Sequence, residues 1–345
     1  MAMTPRLTAM ALAALLGGCT VVPNVDEAVV YDLREERAPV GTPAPAVFVM
    51  EKDGATIAVF GTTHLVPARM TWMSAATEQA LRSADLILTE TSLFRYDEAA
   101  ISDDEAALLA PRSMLPPGQT LWAEADKRLG VAGTAKIKAA LAAHELSPAS
   151  YTAMRPWMVC RDLQIPPRLR TSVTADDMEM VKALSAAFGA PDVAAPDLKV
   201  ELYGASNGIE TRFLESEYRR AYNFSRLSDA AALDCAAKAS ERIGRPRSGK
   251  AIAEQYHGLL DLWLSGDVNR SRAMIERDQR AINPDWSRLF LQAREDAWIE
   301  QIAELCAAPR RNCFVAVGMG HLGGADGLLK QIERLGYRAV SQPQG

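Results

Sequence analysis

Strand-like patterning is confined to the two ends of this chain, and that distribution limits the fold more than any other feature. Near the start, AVFVMEKDGATIAVFG (residues 46–61) reads as two short strands joined at Asp53-Gly54, a strong hairpin signal. TWMSAATEQALRSA (71–84) reads as a helix, with Trp72, Ala76 and Ala80 set against Gln79 and Arg82. DLILTE (85–90) is a brief apolar run suited to a buried strand. Near the end the alternation returns: WIEQIAELCAA (298–308) as a helix, CFVAVG (313–318) as a strand and GADGLLKQIERLG (324–336) as a helix capped by Gly336. YRAVS (337–341) reads as a last strand.

The span from about 92 to 292 is patterned mostly for helices, with alanine-rich amphipathic stretches such as VAGTAKIKAALAAH (131–144) and SDAAALDCAAKASERI (228–243). A strand, a helix and a second strand in succession suit a parallel crossover. The expected fold class is therefore α/β. Its central sheet is formed by the N- and C-terminal parts of one domain, residues 46–345, with a mostly helical insertion at about 97–290. The 345 residues, 48% hydrophobic, are ample for such a core. A formal net charge of −5 and the lack of a Lys/Arg cluster give no phosphate track, so nucleic acid is not an expected partner.

Residues 1–18 read as a targeting segment. Arg6 precedes LTAMALAALL (7–16), an apolar stretch too short to span a bilayer, and LGGC (16–19) follows. Leu-small-small-Cys in that setting resembles the lipobox of bacterial lipoproteins, whose signal is cut before the cysteine and whose cysteine is acylated. Cys19 is then the expected lipidation site and the chain's attachment to a membrane. Thr20 stands where an Asp would favour the inner membrane, so the expected location is the cell envelope, at the outer membrane and facing the periplasm. The alternative is an ordinary signal peptide with a chance cysteine. Residues 19–45, with the Pro-rich APVGTPAPA (38–46) at their end, read as a tether.

Removing Cys19 leaves Cys160, Cys235, Cys306 and Cys313. An even number outside the cytoplasm suggests disulfides. Cys306 and Cys313 flank the short AAPRRN (307–312) and are placed to close a small loop, which leaves Cys160 for Cys235. Four buried free thiols are the alternative; no C-x-x-C spacing points to a cysteine metal site.

Two of the four histidines share one local setting. IAVFGTTHL (57–65) and FVAVGMGHL (314–322) are both apolar runs ending in Gly-x-x-His-Leu. In a parallel α/β sheet, ligands occupy the crevice beyond the carboxyl ends of the strands. A glycine there permits a sharp turn, and the histidine after it is placed to point into the crevice. His64 and His321 meet both conditions, and Glu90 ends the DLILTE strand at the same expected edge. Two imidazoles and a carboxylate converging on one crevice form a ligand set for a divalent transition metal with an open position. Taken singly, each has a blander use: a loop histidine, or a carboxylate capping the next helix.

Other motifs are absent or weak. His144 and His257 lack a partner at i+4, so H-E-x-x-H is missing, and a surface position is expected for His144 despite the suggestive His144-Glu145. No G-x-S-x-G elbow occurs. Gly318, Gly320 and Gly323 spell G-x-G-x-x-G, but no acidic residue follows the next strand to hold a ribose, so no dinucleotide cofactor is expected.

GTTHL (61–65), LILTE (86–90) and VGMGHLGGADGLLKQIERLGYRAV (317–340) resemble the TraB/GumN (TraB/PrgY/GumN) family, a group that includes Tiki-like metalloproteases. RPWMVCRDL (155–163) is similar to the Pro-Trp helix of bacterial members, and REDAWIEQI (294–302) to the family's Arg-x-x-x-Trp helix. There the residue after the arginine is often Asn, and here it is Glu295. The resemblance implies that the two Gly-x-x-His halves come together in a metal-dependent hydrolase site. His64, Glu90 and His321 would hold a divalent ion such as Mn, Co or Zn, and a metal-activated water would attack a carbonyl. Glu90 would take the proton, and Arg294 would stabilise an oxyanion or orient a peptide or protein substrate. A salt bridge on its own helix is the plainer reading of Arg294. Two other functions stay open: a haem- or metal-binding envelope lipoprotein, and a non-catalytic protein of polysaccharide export.

Overall fold

A computed structural model of the chain describes residues 33–63, 66–67, 70–91, 103–164, 193–243 and 249–340. The leader, Cys19, most of the tether and His64 lie outside the described residues.

The N-terminal hairpin pairs β1 (Val47–Lys52) with β2 (Ala55–Thr62), antiparallel from Val47 opposite Phe60 to Lys52 opposite Ala55. Asp53 and Gly54 form the two-residue turn with φ of 51° and 79°. Positive φ at both central positions is what a primed turn requires, and Asp-Gly tolerates it. After a two-residue strand, β3 (Val66–Pro67), comes α1 (Ala75–Arg82), then β4 (Leu86–Thr89). The helix starts later than its apolar spacing predicts. Ser74 caps it by accepting the Thr77 N–H at 3.1 Å. Trp72, before the cap, is buried against Phe60 and Trp263 at centroid distances of 5.3 and 5.9 Å.

The middle of the chain supplies α2 (Asp103–Ser113), α3 (Leu121–Ala143), α4 (Pro156–Gln164), α5 (Pro196–Ser206), α6 (Glu217–Ser225), α7 (Asp229–Ile243), α8 (Gly249–Leu264), α9 (Val268–Ile282) and the short α10 (Pro284–Ser287). It is not purely helical. β5 (Val193–Ala194) pairs with β3, and β6 (Glu210–Phe213) joins the main sheet beside β4. A π-helical stretch at Arg288–Gln292 runs into α11 (Ala293–Cys306), followed by β7 (Asn312–Gly318), α12 (Leu328–Arg334) and β8 (Arg338–Ala339). π-helical turns are rare and frequent at functional sites.

The six-stranded sheet has the order β6-β4-β7-β2-β1-β8. Strands β6, β4, β7 and β2 are parallel, and β1 runs antiparallel to both β2 and β8. The last long strand of the chain, β7, therefore fills the gap that the β2-α1-β4 crossover leaves open. Ile57, Val59, Phe60, Phe314, Val315 and Val317 are fully buried, as continuous apolar runs in a covered parallel sheet should be. Each contributes roughly 1.5–3 kcal/mol of transfer free energy.

Cys306 at the end of α11 is joined to Cys313 at the start of β7, and Cys160 on α4 to Cys235 on α7. The first bond ties the helix that carries Arg294 to the strand that leads to His321. Among the described residues no helix is long and apolar enough to cross a membrane.

Candidate active site

Parallel pairing brings three strand ends to one edge of the sheet. Thr62 of β2 lies opposite Gly318 of β7, and Thr89 of β4 lies opposite Ala316. Glu90, the next residue after β4, thus stands beside the start of the turn that follows β7. The Gly318 N–H donates to Glu90 Oε1 at 2.6 Å.

The expected reason for glycine here needs correcting. Gly318 has φ −51°, which any residue can adopt, so no left-handed turn demands it. The demand is for space: a Cβ at Gly318 would sit 3.0 Å from Glu90 Oε1. The other glycines of this segment also permit close approach. A Cβ at Gly320 would lie 2.1 Å from Ile275 Cδ1, and one at Gly323 would lie 2.2 Å from the Val268 carbonyl oxygen. These glycines seat α9 of the insertion on the histidine turn, which accounts for the G-x-G-x-x-G spelling without a phosphate.

His321 ends the short turn Met319–His321 and is buried. Its Nδ1 is 2.8 Å from Glu295 Oε1, and its Nε2 is 3.2 Å from Arg294 Nη1 and 3.9 Å from Glu90 Oε1. The ring packs on Trp298 at a centroid distance of 4.6 Å. Arg294, Glu295 and Trp298 all belong to α11. The i, i+4 spacing puts Arg294 and Trp298 on one face, with the guanidinium 4.7 Å from the indole centroid.

Arg294 is the hub. Its Nη2 donates to Glu90 Oε2 at 2.7 Å and its Nε to Glu215 Oε2 at 2.6 Å. These pairs cross between elements, so the plainer reading, an ion pair along one helix, is set aside. Burial pushes the guanidinium's pKa down, but Glu215 and Glu90 outweigh it and hold Arg294 above the ordinary arginine range. Breaking such a pair by removing one partner is costly, because a buried charge is left behind.

Two of these carboxylates have no assigned role in the sequence reading. Glu215 follows the edge strand β6 as Glu90 follows β4, and its side chain is only 1% exposed. The strand that would have flagged it, ETRF, is polar and lies in a span patterned for helices. Glu295 stands out in the sequence only as a departure from Asn. In the structure it is fully buried and touches both His321 and Arg272 of α9. Of the remaining histidines, His257 is exposed on α8. His144, the C-terminal cap of α3, is half-buried rather than exposed.

Within the described residues no group of three or more His, Cys, Asp or Glu side chains is arranged around a common point. Glu90 Oε1 and His321 Nε2 make two donors, 3.9 Å apart. Ligands bonded to one ion at about 2.0–2.2 Å can span that separation. A carboxylate on the far nitrogen of a histidine is the usual outer partner of a metal-ligating imidazole, and Glu295 occupies that place. The donor set present therefore fits a divalent ion. The third expected donor, His64, follows Thr62 and Thr63 but lies outside the described residues.

The chain matches the profile of the TraB/PrgY/gumN family over residues 46–340. No curated protein and no solved structure gives a significant match.

Proposed function

The chain belongs to the TraB/PrgY/gumN family, and from that premise we propose that it is a metal-dependent hydrolase of the bacterial cell envelope acting on peptide or protein carbonyls. One observation supports the reading most. Glu90 of the N-terminal part and Arg294 and His321 of the C-terminal part converge at the carboxyl edge of a parallel sheet. Ligands in open α/β sheets bind at that edge. His321 and Glu90 would hold the ion, with His64 as the third donor by the symmetry of the two Gly-x-x-His turns. A bound divalent ion would supply a Lewis acid for the carbonyl and lower the pKa of a water molecule.

The chain's own groups do the rest. Glu90 presents Oε1 beside His321 while Arg294 neutralises Oε2, so it is placed to accept a proton without leaving the ion pair. Arg294 keeps its charge at any working pH and is a fixed positive group for an oxyanion. Glu215 holds Arg294 through Nε, which leaves Nη1 and Nη2 to His321 and Glu90 and keeps the guanidinium fork aimed at the site. Attachment through Cys19 would keep this activity at the membrane.

The test is metal content. The purified chain, stripped with chelator and titrated with Mn, Co and Zn, should take up one ion. His321→Ala and Glu90→Gln should each weaken uptake at least about 100-fold, beyond the range seen for outer-shell changes. The loaded protein should cleave members of a mixed peptide library, read by mass spectrometry. A folded wild-type chain that takes up none of the three ions, or a His321→Ala variant that binds like wild type, refutes the proposal.

A further inference from the structure

Both ring nitrogens of His321 face groups that dictate where its single proton sits. Nδ1 lies 2.8 Å from Glu295 Oε1, and a carboxylate paired with an arginine can only accept. Nε2 lies 3.2 Å from Arg294 Nη1, and a guanidinium can only donate. The two neighbours impose the same tautomer: the proton on Nδ1 and the lone pair on Nε2, on the side of Glu90 and Arg294.

Glu295 is held in turn. The Arg272 guanidinium reaches the same Oε1 through Nη1, donates to Glu276 Oε1 at 2.6 Å through Nε, and sits 3.4 Å from the Gly320 carbonyl. Arg272 is 7% exposed and the Glu295 side chain 0%. Glu295 Oε2 has no hydrogen-bond partner among the described residues. An unpaired buried acceptor costs about 1–3 kcal/mol. An apolar residue of similar shape would avoid that cost, so stability alone does not explain a carboxylate here. Arg272 belongs to α9, the helix that the missing side chains at Gly320 and Gly323 let close onto the histidine turn.

We infer that Glu295, clamped by Arg272 of the helical insertion, is a positioning residue that fixes His321 in the Nδ1–H tautomer, with the Nε2 lone pair turned toward Arg294 and Glu90. Its use in catalysis rests on the metal-dependent reading above; the tautomer does not. Arg272 carries the effect from the insertion to the sheet edge, so the helical layer sets the state of a residue contributed by the C-terminal part.

The experiment reads the tautomer directly. The full chain is labelled with 15N-histidine, stripped of metal and held at about pH 8.5, two units above the ordinary histidine pKa of about 6.5. Long-range 1H–15N correlations report the protonated nitrogen of each of the four rings. His321→Gln assigns the signal. The wild type should show His321 protonated at Nδ1, and Glu295→Leu, which leaves only the longer 3.2 Å contact with Arg294 to set the tautomer, should split the proton between the two nitrogens. Glu295→Gln, whose amide oxygen still accepts, should keep the wild-type pattern. Affinity for Zn or Mn alone should fall about 10–100-fold in Glu295→Leu and largely return in Glu295→Gln. An Nε2–H signal in the wild type overturns the inference, and that measurement needs no variant to fold. Retention of Nδ1–H in Glu295→Leu overturns it as well. If the tautomer behaves as stated while no form binds metal, the positioning role stands and the metal-dependent reading falls.

Discussion

Gly61 near the end of β2 and Gly318 at the end of β7 each open a Gly-x-x-His-Leu, and their strands pair side by side, yet the two glycines have different neighbours. Gly318 gives its N–H to Glu90, and the space where its side chain would be is bounded by a carboxylate oxygen and by His321. Gly61 faces Met319, and its carbonyl accepts the indole N–H of Trp263 at 2.7 Å. One glycine borders charged groups of the site; the other lets the two turns and the insertion pack together. A repeated local sequence thus ends two neighbouring strands at one edge, and the neighbours decide what each glycine does. In a parallel sheet this follows from register, because strands paired as Gly61 with Val317 and Thr62 with Gly318 must end at one edge.

Substituting each glycine in turn separates the two roles, and the largest effect belongs to Gly318. A Cβ there would be 3.0 Å from Glu90 Oε1, and the two methyl groups of valine press further. Glu90 can withdraw only by leaving both the Gly318 N–H and Arg294. Gly318→Val should therefore destabilise the fold by roughly 3 kcal/mol, the low end for breaking a buried pair, since Glu215 still holds Arg294. Urea denaturation measures this, and loss of the His321–Glu90 arrangement should appear as loss of metal uptake. A variant within about 0.5 kcal/mol of wild type would show that the glycine is incidental.

Gly61→Val should cost less. The nearest atoms to a Cβ at Gly61 are Met319 Cβ at 3.2 Å and its Cα and Cγ at 3.3 Å. The contact is tight but apolar, and because Met319 Cα and Cβ do not move with a change of rotamer, the turn itself must give by a few tenths of an ångström. Overpacking of this kind costs typically 1–3 kcal/mol, without removing a charge from its partner. The sharper expectation is qualitative: Gly61→Val should leave the His321 tautomer signal in place, and Gly318→Val should disturb it. Equal disturbance by both would erase the distinction between the turns.

Much of this arrangement was legible in the sequence, for reasons that can be named. The hairpin was readable because Asp53-Gly54 is a local requirement of the turn, and β4 and β7 because strands buried on both faces must be apolar throughout. The shared sheet edge was readable because the same motif ends two such strands. The start of α1 was misread because Trp72, Ala76 and Ala80 have helical spacing, whereas Trp72 is claimed by Phe60 and Trp263, which are distant in sequence. β6 was invisible because an edge strand with half its residues exposed carries no apolar run. Glu215 and Glu295 escaped for a related reason. Each is an unremarkable acidic residue until the fold places an arginine beside it.

The smallest expected effect tests how the β2 turn is tied to the insertion. Trp263, on α8, is 1% exposed and packs among Phe60 and Trp72 while its Nε1 donates to the Gly61 carbonyl. Trp263→Phe keeps an aromatic ring in the cluster and removes the donor, leaving a buried backbone acceptor short of its partner. The loss should be roughly 1 kcal/mol, the net worth of one hydrogen bond, visible as a small fall in the urea midpoint. Because the bond that is lost ends on the Gly61 carbonyl and not on Glu90, Arg294 or Glu295, the His321 signals should not move. Trp263 and Arg272 are both insertion residues, but they hold different turns: Trp263 the one after β2 and Arg272 the one after β7. Their effects should then add when both are replaced, as they do for sites without shared partners. A double variant of Trp263→Phe and Arg272→Met that departs from additivity by more than about 0.5 kcal/mol would mean that the insertion grips both turns as one unit.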